Sequence, residues 1–437
     1  MGRFASAAPP HDPQVDSPVM SPDEPRVVII GGGFGGLYAA KALRSAPVSV
    51  TLIDRRNHHV FQPLLYQVAT AGLSAIDIGE PIRRILRKQQ NTEVQLAEVV
   101  SVDLDEQRVR LADGNRVAYD FLIVATGATD SYFGHEEWAP YAPGLKSIED
   151  ALAIRRRVLS AFEQAEIVRD AGVQRSLLTF AVIGGGPTGA ELAGALAELS
   201  RHTLTDEFRS YDAGDARVVL IEAGERILSG YPPRLSARAH RQLERLGVEI
   251  RTGVPVTDID ADGVDLGTER LPCRTILWAA GVTASSLGAS LGTDLDRAGR
   301  VVVEPDLTVP GHREVFVVGD LARVVQDGKL LPGIAPAAIQ MGRHAADSIV
   351  RMVQGEHSRT FRYVDRGMMA TLGRSSAIAV IGGIRLWGLP AWLAWLFIHI
   401  LFLIGFRNRA VVLFEWTRSY VTYSRSARLI LYPDESD

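Results

Sequence analysis

The chain has 437 residues, a formal net charge of −4 and one cysteine, Cys273. This length is too great for one ordinary core and predicts two or three domains, while the nearly balanced charge gives no support to nucleic-acid binding. A single cysteine excludes an internal disulfide, a redox cysteine pair, a cysteine-ligated zinc and an iron–sulfur cluster.

The start of the chain is rich in proline, serine and aspartate. It has neither the apolar segment of a signal peptide nor the arginine-rich amphipathic pattern of a transit peptide. We therefore predict a disordered lead over residues 1–25.

The first predicted unit is a strand, a glycine turn and a helix within RVVIIGGGFGGLYAAKAL. A β-branched run ends at Ile30, and Gly31, Gly33 and Gly36 follow before the helical pattern begins. A pyrophosphate site needs this order, because the turn must be tight, the backbone must come close to the anion, and the helix must offer free N–H groups. The next strand ends at Asp54, whose carboxylate can accept hydrogen bonds from a ribose diol. Together these features predict a dinucleotide site.

Two adjacent histidines, His58 and His59, follow this unit. Neighbouring side chains on a strand point to opposite faces, so the two rings should not share a ligand. We therefore predict no metal site here or elsewhere in the chain.

A helix with an N-terminal cap is predicted over residues 147–165, where it would link two nucleotide domains. Its three consecutive arginines, at positions 155 to 157, are predicted to form a solvated face.

The strand, glycine turn and helix then recur in LLTFAVIGGGPTGAELAGALAEL. Here the glycines are Gly184, Gly186 and Gly189, and Glu222 closes the following strand. Each of the two units is supported independently, so the pair predicts two bound dinucleotides.

Three further buried-type strands each run into a turn of small residues, in YDFLIVATGA, TILWAAGV and EVFVVGDLA. With the two glycine units, they resemble the two-dinucleotide-binding-domain flavoprotein reductases. That resemblance implies an α/β fold in which a first Rossmann-like domain holds FAD and an inserted second one holds a nicotinamide cofactor. It also implies that Asp320 hydrogen-bonds the ribityl chain of FAD.

The expected domain division follows from this resemblance. It comprises an FAD-binding domain over 26–145 and 296–350, an NADH-binding domain over 146–295, and a C-terminal dimer- and membrane-anchoring region over 351–437.

The single cysteine excludes some classes of reductase within this superfamily. Disulfide reductases of this superfamily need a cysteine pair beside the flavin, and sulfide:quinone reductases need cysteines that carry sulfur. The electron acceptor must therefore meet the flavin directly. It can be a small diffusible molecule such as a quinone or a protein such as a ferredoxin.

The C-terminal run PAWLAWLFIHILFLIGFRNR is uncharged over 390–406. As a helix it would be roughly 25 Å long, which is less than the ~30 Å hydrocarbon core of a bilayer. Trp387, Trp392 and Trp395 are residue types that favour a membrane interface. The cationic flank that follows consists of Arg407, Arg409, Arg418, Arg425 and Arg428, against a lone acid, Glu415.

These features predict a membrane dock that is separate from the flavin site. A transmembrane helix and a buried helix of a dimer interface remain alternatives.

The whole pattern resembles the type II NADH dehydrogenases, which are single-subunit, non-pumping NADH:quinone oxidoreductases. The resemblance rests on GGGFGGLYAAKAL, RRNHHVFQPLLYQVATAGL, ATGATDSYFGHEEWAPYAPGLKSIEDA, IGGGPTGAELAG, LPGIAPAAIQMGRHAA, RGMMATLGR and the apolar tail. It implies non-covalent FAD, NADH as donor, and menaquinone or ubiquinone as acceptor. It also implies a homodimer, peripheral on the cytoplasmic face of a bacterial inner membrane, that feeds electrons into the respiratory chain.

Two alternatives stay open: a soluble NADH-dependent ferredoxin or rubredoxin reductase, and a nucleotide-sensing scaffold without significant turnover. The chain also departs from the family pattern twice. Pro336 replaces the first glutamine of an AQxxxQ motif whose second glutamine, Gln340, is kept, and Arg366 replaces a common lysine. Arginine stays protonated, so Arg366 can offer charge but is a poor proton donor.

The resemblance assigns roles to individual residues. Those expected to hold FAD are Gly31, Gly33, Gly36, Asp54, Thr126, Gly127 and Asp320. Those expected to hold NADH are Gly184, Gly186, Gly189, Glu222, Ala280 and Gly281. Those expected to act in catalysis are Glu191, on the first turn of its helix beside the nicotinamide and flavin, and Gln340 and Arg366 at the quinone end.

Overall fold

The computed structural model describes residues 24–402, 412–414, 416 and 427–430. The predicted disordered lead lies outside these residues except for positions 24 and 25, as do Arg407, Arg409, Arg418 and Arg425 of the predicted cationic flank.

The secondary structure alternates between strands and helices through most of the chain. The helices are α1 (Phe34–Ala42), α2 (Leu65–Ala69), α3 (Ala75–Ile78), α4 (Ile82–Leu86), α5 (Ile148–Ile167), α6 (Ala171–Leu177), α7 (Pro187–Glu198), α8 (Pro233–Arg245), α9 (Ala335–Val353) and α10 (Gly388–Phe402). The strands are β1 (Arg26–Ile30), β2 (Ser49–Asp54), β3 (His58–Val60), β4 (Gly79–Pro81), β5 (Thr92–Leu96), β6 (Val99–Asp103), β7 (Arg108–Leu111), β8 (Arg116–Ala118), β9 (Phe121–Val124), β10 (Ala128–Asp130), β11 (Thr179–Ile183), β12 (Arg217–Glu222), β13 (Val248–Thr252), β14 (Asp258–Asp260), β15 (Gly263–Asp265), β16 (Arg270–Pro272), β17 (Thr275–Trp278), β18 (Val282–Ala284), β19 (Val301–Val302), β20 (Thr308–Val309), β21 (His312–Val317), β22 (Ala322–Arg323), β23 (Val325–Gln326), β24 (Lys329–Leu330), β25 (Met368–Thr371), β26 (Ala377–Ile381) and β27 (Ile384–Trp387).

The first sheet has the strand order β20-β21-β9-β1-β2-β5 and is parallel except for the edge strand β20. Its central strands are continuous apolar runs, as expected of parallel strands that are covered on both faces. On one face, α1 crosses α9 so closely that a Cβ built on Gly342 would lie 2.1 Å from the carbonyl oxygen of Gly35. Helix packing there depends on two glycines that have no side chain.

The second sheet is fully parallel, in the order β13-β12-β11-β17. The short antiparallel ribbon β10–β18 joins the chain that leaves β9 to the chain that leaves β17. After this ribbon the chain returns to the first sheet, where β21 pairs with β9. The predicted α/β fold with two Rossmann-like units is therefore confirmed.

The predicted capped helix is confirmed as α5, which extends to Ile167. The hydroxyl of Ser147 accepts from the N–H of Asp150 at 3.1 Å, and the Asp150 carboxylate accepts from the N–H of Ser147 at 2.8 Å. The predicted solvated arginine face is wrong for two residues. Arg155 is buried. Arg157 donates to the carbonyl oxygens of residues 140 and 141, so this side of α5 faces the loop that precedes the helix and is not fully solvated.

The exact domain limits stay predictions. Leu287 and Leu291 pack in the same core cluster as Val28 and Leu122 of the first sheet. The predicted boundary at residue 295 therefore lies beyond the point where side chains begin to pack on the first sheet again.

The C-terminal part forms the antiparallel sheet β25-β26-β27 followed by α10. One face of α10 is buried through Ala391 and Trp395, and the opposite side exposes an apolar stripe at every fourth residue. This stripe consists of Leu389, Leu393, Phe397 and Leu401. Among the described residues, no helix is both long enough and apolar enough to cross a membrane.

The expectation for the tryptophans needs correction. Trp395 is only 2% exposed, because it packs against His399 and Trp416 with ring centroids 4.3 and 5.2 Å away. Trp387 is half-exposed, and the guanidinium of Arg238 lies 4.1 Å from its ring centroid. Trp387 therefore keeps the predicted surface position, whereas Trp395 belongs to the core.

Candidate active site

The first glycine turn joins β1 to α1 with almost no spare space. Gly31 has φ +101°, and a Cβ built on it would lie 2.5 Å from the carbonyl oxygen of Ala125, which directly follows β9. A Cβ on Gly36 would lie 1.9 Å from the carbonyl oxygen of Gly31. In contrast, a Cβ on Gly33, just before α1, would meet nothing within 4 Å. The turn thus packs tightly inward and leaves its outer side open, as binding of a phosphate at the helix N-terminus requires.

Asp54 ends β2 beside this turn. Its Oδ2 accepts from the N–H of Gly32 at 2.5 Å, and its Oδ1 accepts from the N–H of Arg56 at 2.7 Å. A carboxylate oxygen can accept more than one hydrogen bond, so the fixed carboxylate can still receive a ribose diol.

Thr126, Gly127 and Asp320 are expected to line the part of FAD beyond its adenosine diphosphate. Their surroundings fit a molecule that is rich in hydroxyl groups. The hydroxyl of Thr126 is buried and has no hydrogen-bond partner among the described residues. Burial raises the pKa of Asp320, which lies in the 3₁₀ turn Gly319–Leu321. Next to Thr126, Gly127 has φ +69°, and a Cβ on it would meet no atom within 4 Å. A buried hydroxyl and a desolvated carboxyl are groups that a polyhydroxyl chain would satisfy.

The second glycine turn repeats the first in detail. A Cβ built on Gly189 would lie 1.8 Å from the carbonyl oxygen of Gly184, whereas one on Gly186 would meet nothing within 4 Å. Glu222 occupies the place that Asp54 has in the first unit. Its Oε2 accepts from the N–H of Gly185 at 2.6 Å, and its Oε1 accepts from the N–H at position 224 at 2.7 Å. The chain therefore contains two equivalent sites with the geometry of a dinucleotide-binding turn. Each glycine turn, together with the acid that ends the next strand, is called a cradle below.

Glu191, on the helix that follows the second glycine turn, lines a pocket of about 90 Å³. It is the fifth residue of α7 and so begins the second turn, one residue beyond the predicted first turn. Its Oε1 accepts from the N–H of Thr371 at 3.2 Å. Although the residue is partly exposed to the pocket, the surrounding protein desolvates its carboxyl and raises the pKa to about 8.

The walls of this pocket come from four parts of the chain: α2 and the turn after it, α7 and the turn after it, the end of β25 with the turn that follows, and the C-terminal helical residues. The lining residues are Tyr66, Gln67, Thr70, Gly72, Glu191, Ala195, Glu198, Thr203, Thr371, Gly373, Arg374, Trp392, Trp395 and Trp416. Tryptophans of the tail form one wall of this pocket, whereas none of the residues expected to hold FAD lines it. That the tail is separate from the flavin site therefore stays a prediction.

Residues 25–342 match the family of pyridine nucleotide-disulphide oxidoreductases. The chain is 47% identical over 422 residues to the type II NADH:quinone oxidoreductase NdhA of Mycobacterium tuberculosis, covering 93% of this chain and 89% of that protein. It is 46% identical over 428 residues to the type II NADH:quinone oxidoreductase Ndh of the same organism, covering 94% and 92% of the two chains. The chain belongs to the type II NADH:quinone oxidoreductases.

A solved structure of NDH2 from Plasmodium falciparum in complex with NADH has the same fold. It superposes with a TM-score of 0.83 at 19% identity and covers 94% of this chain and 100% of that one. The two-cradle architecture of this type II oxidoreductase is thus retained at low sequence identity.

Gln340 and Arg366, expected at the quinone end, lie near one another but away from the lining of the Glu191 pocket. The amide of Gln340 donates to the carbonyl oxygen of Val364 at 3.0 Å and accepts from its N–H at 2.9 Å. Arg366 is exposed two residues further on. Pro336 occupies the first turn of α9, where proline is well tolerated. The catalytic roles of Gln340 and Arg366 in this type II oxidoreductase stay predictions.

His59 contacts the first cradle, a position that the sequence pattern did not predict. Its Nδ1 donates to the carbonyl oxygen of Gly32 at 2.9 Å, and burial lowers its pKa to about 4. The Nε2 atom of the neutral ring is buried without a partner among the described residues. Alternation along β3 predicts that one of the two histidines is buried, but the contact with Gly32 depends on the tertiary fold.

No group of three or more metal-ligating side chains occurs within the described part of the chain.

Phe133 was also missed, and it lies beside the second cradle. Ala280 and Gly281 follow β17, and a Cβ built on Gly281 would lie 2.4 Å from the ring of Phe133. Phe133 is 68% exposed and has φ +58°. No local motif predicts this contact, because it joins two loops that are far apart in sequence.

Proposed function

We propose that this chain is an FAD-dependent enzyme that takes electrons from NADH and delivers them to a membrane quinone without pumping protons. The observation that carries the proposal is the position of Glu191. Its helix begins at the second cradle, and its carboxyl enters a pocket whose far wall is the C-terminal segment. A carboxyl that serves both NADH and a lipid-soluble quinone must lie between the nucleotide site and the C-terminal part of the chain. The position of Glu191 meets this requirement.

The first cradle would hold FAD and the second would hold NADH. When bound, the flavin supplies the redox chemistry, accepting hydride from NADH and giving two electrons to the quinone. The protein fixes each diphosphate at a helix N-terminus and each adenosine ribose at an acid, Asp54 or Glu222. Thr126 and Asp320 would bond the ribityl hydroxyls of FAD. Glu191 would hold a proton near the reacting rings.

The quinone acceptor is favoured over an iron–sulfur protein by the apolar stripe of α10, for which a soluble ferredoxin or rubredoxin reductase has no use. The lone cysteine is buried. It therefore offers no exposed thiol that could carry sulfur or a disulfide between the flavin and an acceptor.

The visible spectrum of the purified protein tests this function directly. We expect a flavin spectrum that bleaches on anaerobic addition of NADH and recovers on addition of a quinone analogue. Protein that binds NADH without bleaching would act as a nucleotide-sensing scaffold. Recovery with a ferredoxin but not with a quinone would identify the alternative acceptor.

The exposed stripe of α10 is proposed to dock the protein on the cytoplasmic face of a bacterial inner membrane. Leu393 is 50% exposed and Phe397 is 64% exposed, so neither side chain is fully covered by the protein. A homodimer is also proposed from the family resemblance, and sedimentation in detergent tests it.

Introducing charge into this stripe is expected to release the protein from membranes. Replacing Leu393 and Phe397 by glutamate removes two apolar contacts and should weaken binding to anionic liposomes by roughly 100-fold or more. NADH oxidation with ferricyanide should be retained. The matched control replaces two exposed apolar residues elsewhere, Leu96 and Ile167, by glutamate. Unchanged co-sedimentation of the α10 variant would contradict docking through this stripe.

Donor choice is expected to favour NADH over NADPH. Two N–H groups hold the Glu222 carboxylate beside the second glycine turn. If the ribose of the donor binds there, as the resemblance implies, the carboxylate would repel a 2′-phosphate. Arg226 cannot readily offset this charge, because it donates to the carbonyl oxygens of Ser229 and Tyr231 at 2.7 and 3.1 Å.

The Glu222→Gln variant should therefore lower the ratio of kcat/KM for NADH to that for NADPH by about 10-fold, which corresponds to loss of one charge contact. The control is Glu225→Gln, which removes a neighbouring exposed carboxylate. Equal ratios in the wild type and the Glu222 variant would show that this acid does not bind the ribose.

A further inference from the structure

Phe133 is an exposed aromatic residue that the fold holds next to the second glycine turn. A Cβ built on Gly184, in that turn, would lie 2.7 Å from the Cα of Ala280. The next residue, Gly281, has the Phe133 ring beside it, since a Cβ there would lie between 2.4 and 3.0 Å from atoms of this ring. Only two residues of the loop that follows β17 therefore separate the ring from the glycine turn.

The loop that carries this ring is fixed by contacts of the two residues before it. The N–H of Ser131 donates to the carbonyl oxygen of Gly281 at 3.2 Å, and the carbonyl oxygen of Ser131 accepts from the indole N–H of Trp278 at 2.9 Å. The ring of Tyr132 packs on Trp278, with ring centroids 4.9 Å apart. These contacts hold the backbone of Phe133 against the loop that follows β17.

Two properties of Phe133 are unfavourable in the protein without a ligand. Its φ of +58° lies in the left-handed region, which is strained for a residue with a bulky side chain. Its side chain is 68% exposed, although an apolar ring gains free energy when it leaves water. Val282, which follows Gly281, is 49% exposed as well. A fixed loop that presents an apolar ring to solvent on a strained backbone is typical of a ligand-binding site.

The strand order of the second sheet indicates which half of NADH would reach this ring. Strand β11, which precedes the glycine turn, lies between β12 and β17. Glu222 ends β12 and Gly281 follows β17, so these two residues lie on opposite sides of the turn. A dinucleotide with its adenosine ribose at Glu222 and its diphosphate at the turn therefore extends toward Gly281 with its nicotinamide half.

We propose that the ring of Phe133 contacts the nicotinamide riboside half of NADH and helps to hold it beside the second cradle. The inference rests on the proposed function, which assigns NADH to this cradle. It adds a donor-binding residue that lies outside the glycine turn and its acid. A phenyl ring needs no hydrogen-bond partner for this role, because it binds through apolar area and through contact between aromatic faces.

The Phe133→Ala variant removes the ring and is expected to weaken binding of NAD⁺ by about 10-fold or more, as for loss of an aromatic side chain that stacks on a base. Binding of ADP should stay at the wild-type value, because ADP lacks the nicotinamide half. Phe133→Tyr keeps the ring and should bind NAD⁺ like the wild type. Phe133→Gly removes the ring and relieves the strained backbone, so it should bind NAD⁺ as weakly as Phe133→Ala.

The test measures the dissociation constants of NAD⁺ and ADP by isothermal titration calorimetry on the oxidised, flavin-loaded protein. Stopped-flow spectroscopy then gives the NADH concentration at which flavin reduction reaches half its maximal rate, which should rise in Phe133→Ala. The matched control is Tyr141→Ala, which removes a ring that is 40% exposed in the same segment between β10 and α5. Neither measurement requires a quinone.

Weaker NAD⁺ binding in Phe133→Ala and Phe133→Gly, with ADP binding, Phe133→Tyr and the control unchanged, would support the proposal. Wild-type affinity of Phe133→Ala for NAD⁺ would overturn it, and so would an equal loss of affinity for ADP and NAD⁺. Failure of the proposed function would appear differently, as a wild-type protein that neither binds NAD⁺ nor is bleached by NADH, and the inference would then fail with it.

Discussion

Replacing Gly189 by alanine is expected to abolish reduction of the protein by NADH. The new Cβ would lie 1.8 Å from the carbonyl oxygen of Gly184, which is backbone and cannot swing away as a flexible side chain can. Either α7 or the turn must move, and overpacking of this kind costs about 3 kcal/mol. Because the same turn would carry the NADH diphosphate, kcat/KM for NADH should fall at least about 100-fold.

The position of the damage distinguishes this effect from general unfolding. Gly189→Ala should keep its flavin spectrum, since the first cradle is built from other elements. The equivalent change in the first cradle, Gly36→Ala, should instead lose flavin. The control is Gly230→Ala, because a Cβ at Gly230 meets nothing within 4 Å. If Gly189→Ala is reduced by NADH at the wild-type rate, the second turn does not bind the donor.

Replacing the titratable carboxyl of Glu191 by an amide is expected to slow reoxidation of the flavin by quinone by roughly 100-fold, the lower range for loss of a general acid or base. The pKa of about 8 leaves the carboxyl mostly protonated at neutral pH and able to give up a proton. Its pocket opens against the C-terminal wall, which favours the quinone step over the NADH step. Glu191→Gln keeps the shape and loses the titration, so a pH dependence with a midpoint near 8 should disappear with it.

Stopped-flow measurement of the two half-reactions checks this expectation. Slowed reduction with normal reoxidation would mean that Glu191 positions the nicotinamide. Wild-type rates in both steps across neutral pH would leave it no catalytic role.

The pH dependence of the free energy of unfolding is a second measure of the Glu191 pKa. The native state holds the extra proton from about pH 4.5 to 8, so the free energy of unfolding should fall as pH rises through that window, and less so in Glu191→Gln.

The two cradles could be predicted from sequence because their signal is local. A strand, a tight turn and a helix N-terminus lie within some twenty residues, and the acid follows at the end of the next strand. Glu191 could be singled out through family resemblance, but its contact with Thr371 could not, because the two residues belong to distant parts of the chain. The clamp of Gln340 on Val364 was equally inaccessible.

The errors have a common physical origin. Arg155 and Trp395 were judged by residue type, which describes the average environment of a side chain. Their actual environment depends on which elements pack against them. Arg155 is buried because other parts of the chain cover that face of α5. Trp395 is buried because it packs against His399 and Trp416.

The close crossing of α1 and α9 constrains the order in which the molecule can be made. Gly35 and Gly342 touch across most of the chain length, and β21 must reach the side of β9 before the first sheet is complete. During synthesis, the inserted second sheet can form as soon as its own contiguous residues have left the ribosome. The first Rossmann unit, although it is begun earlier, must wait for α9. The part of the protein that would carry the flavin is therefore completed only after the whole second sheet has been synthesised. We expect flavin to be captured by a chain in which the second glycine turn is already built.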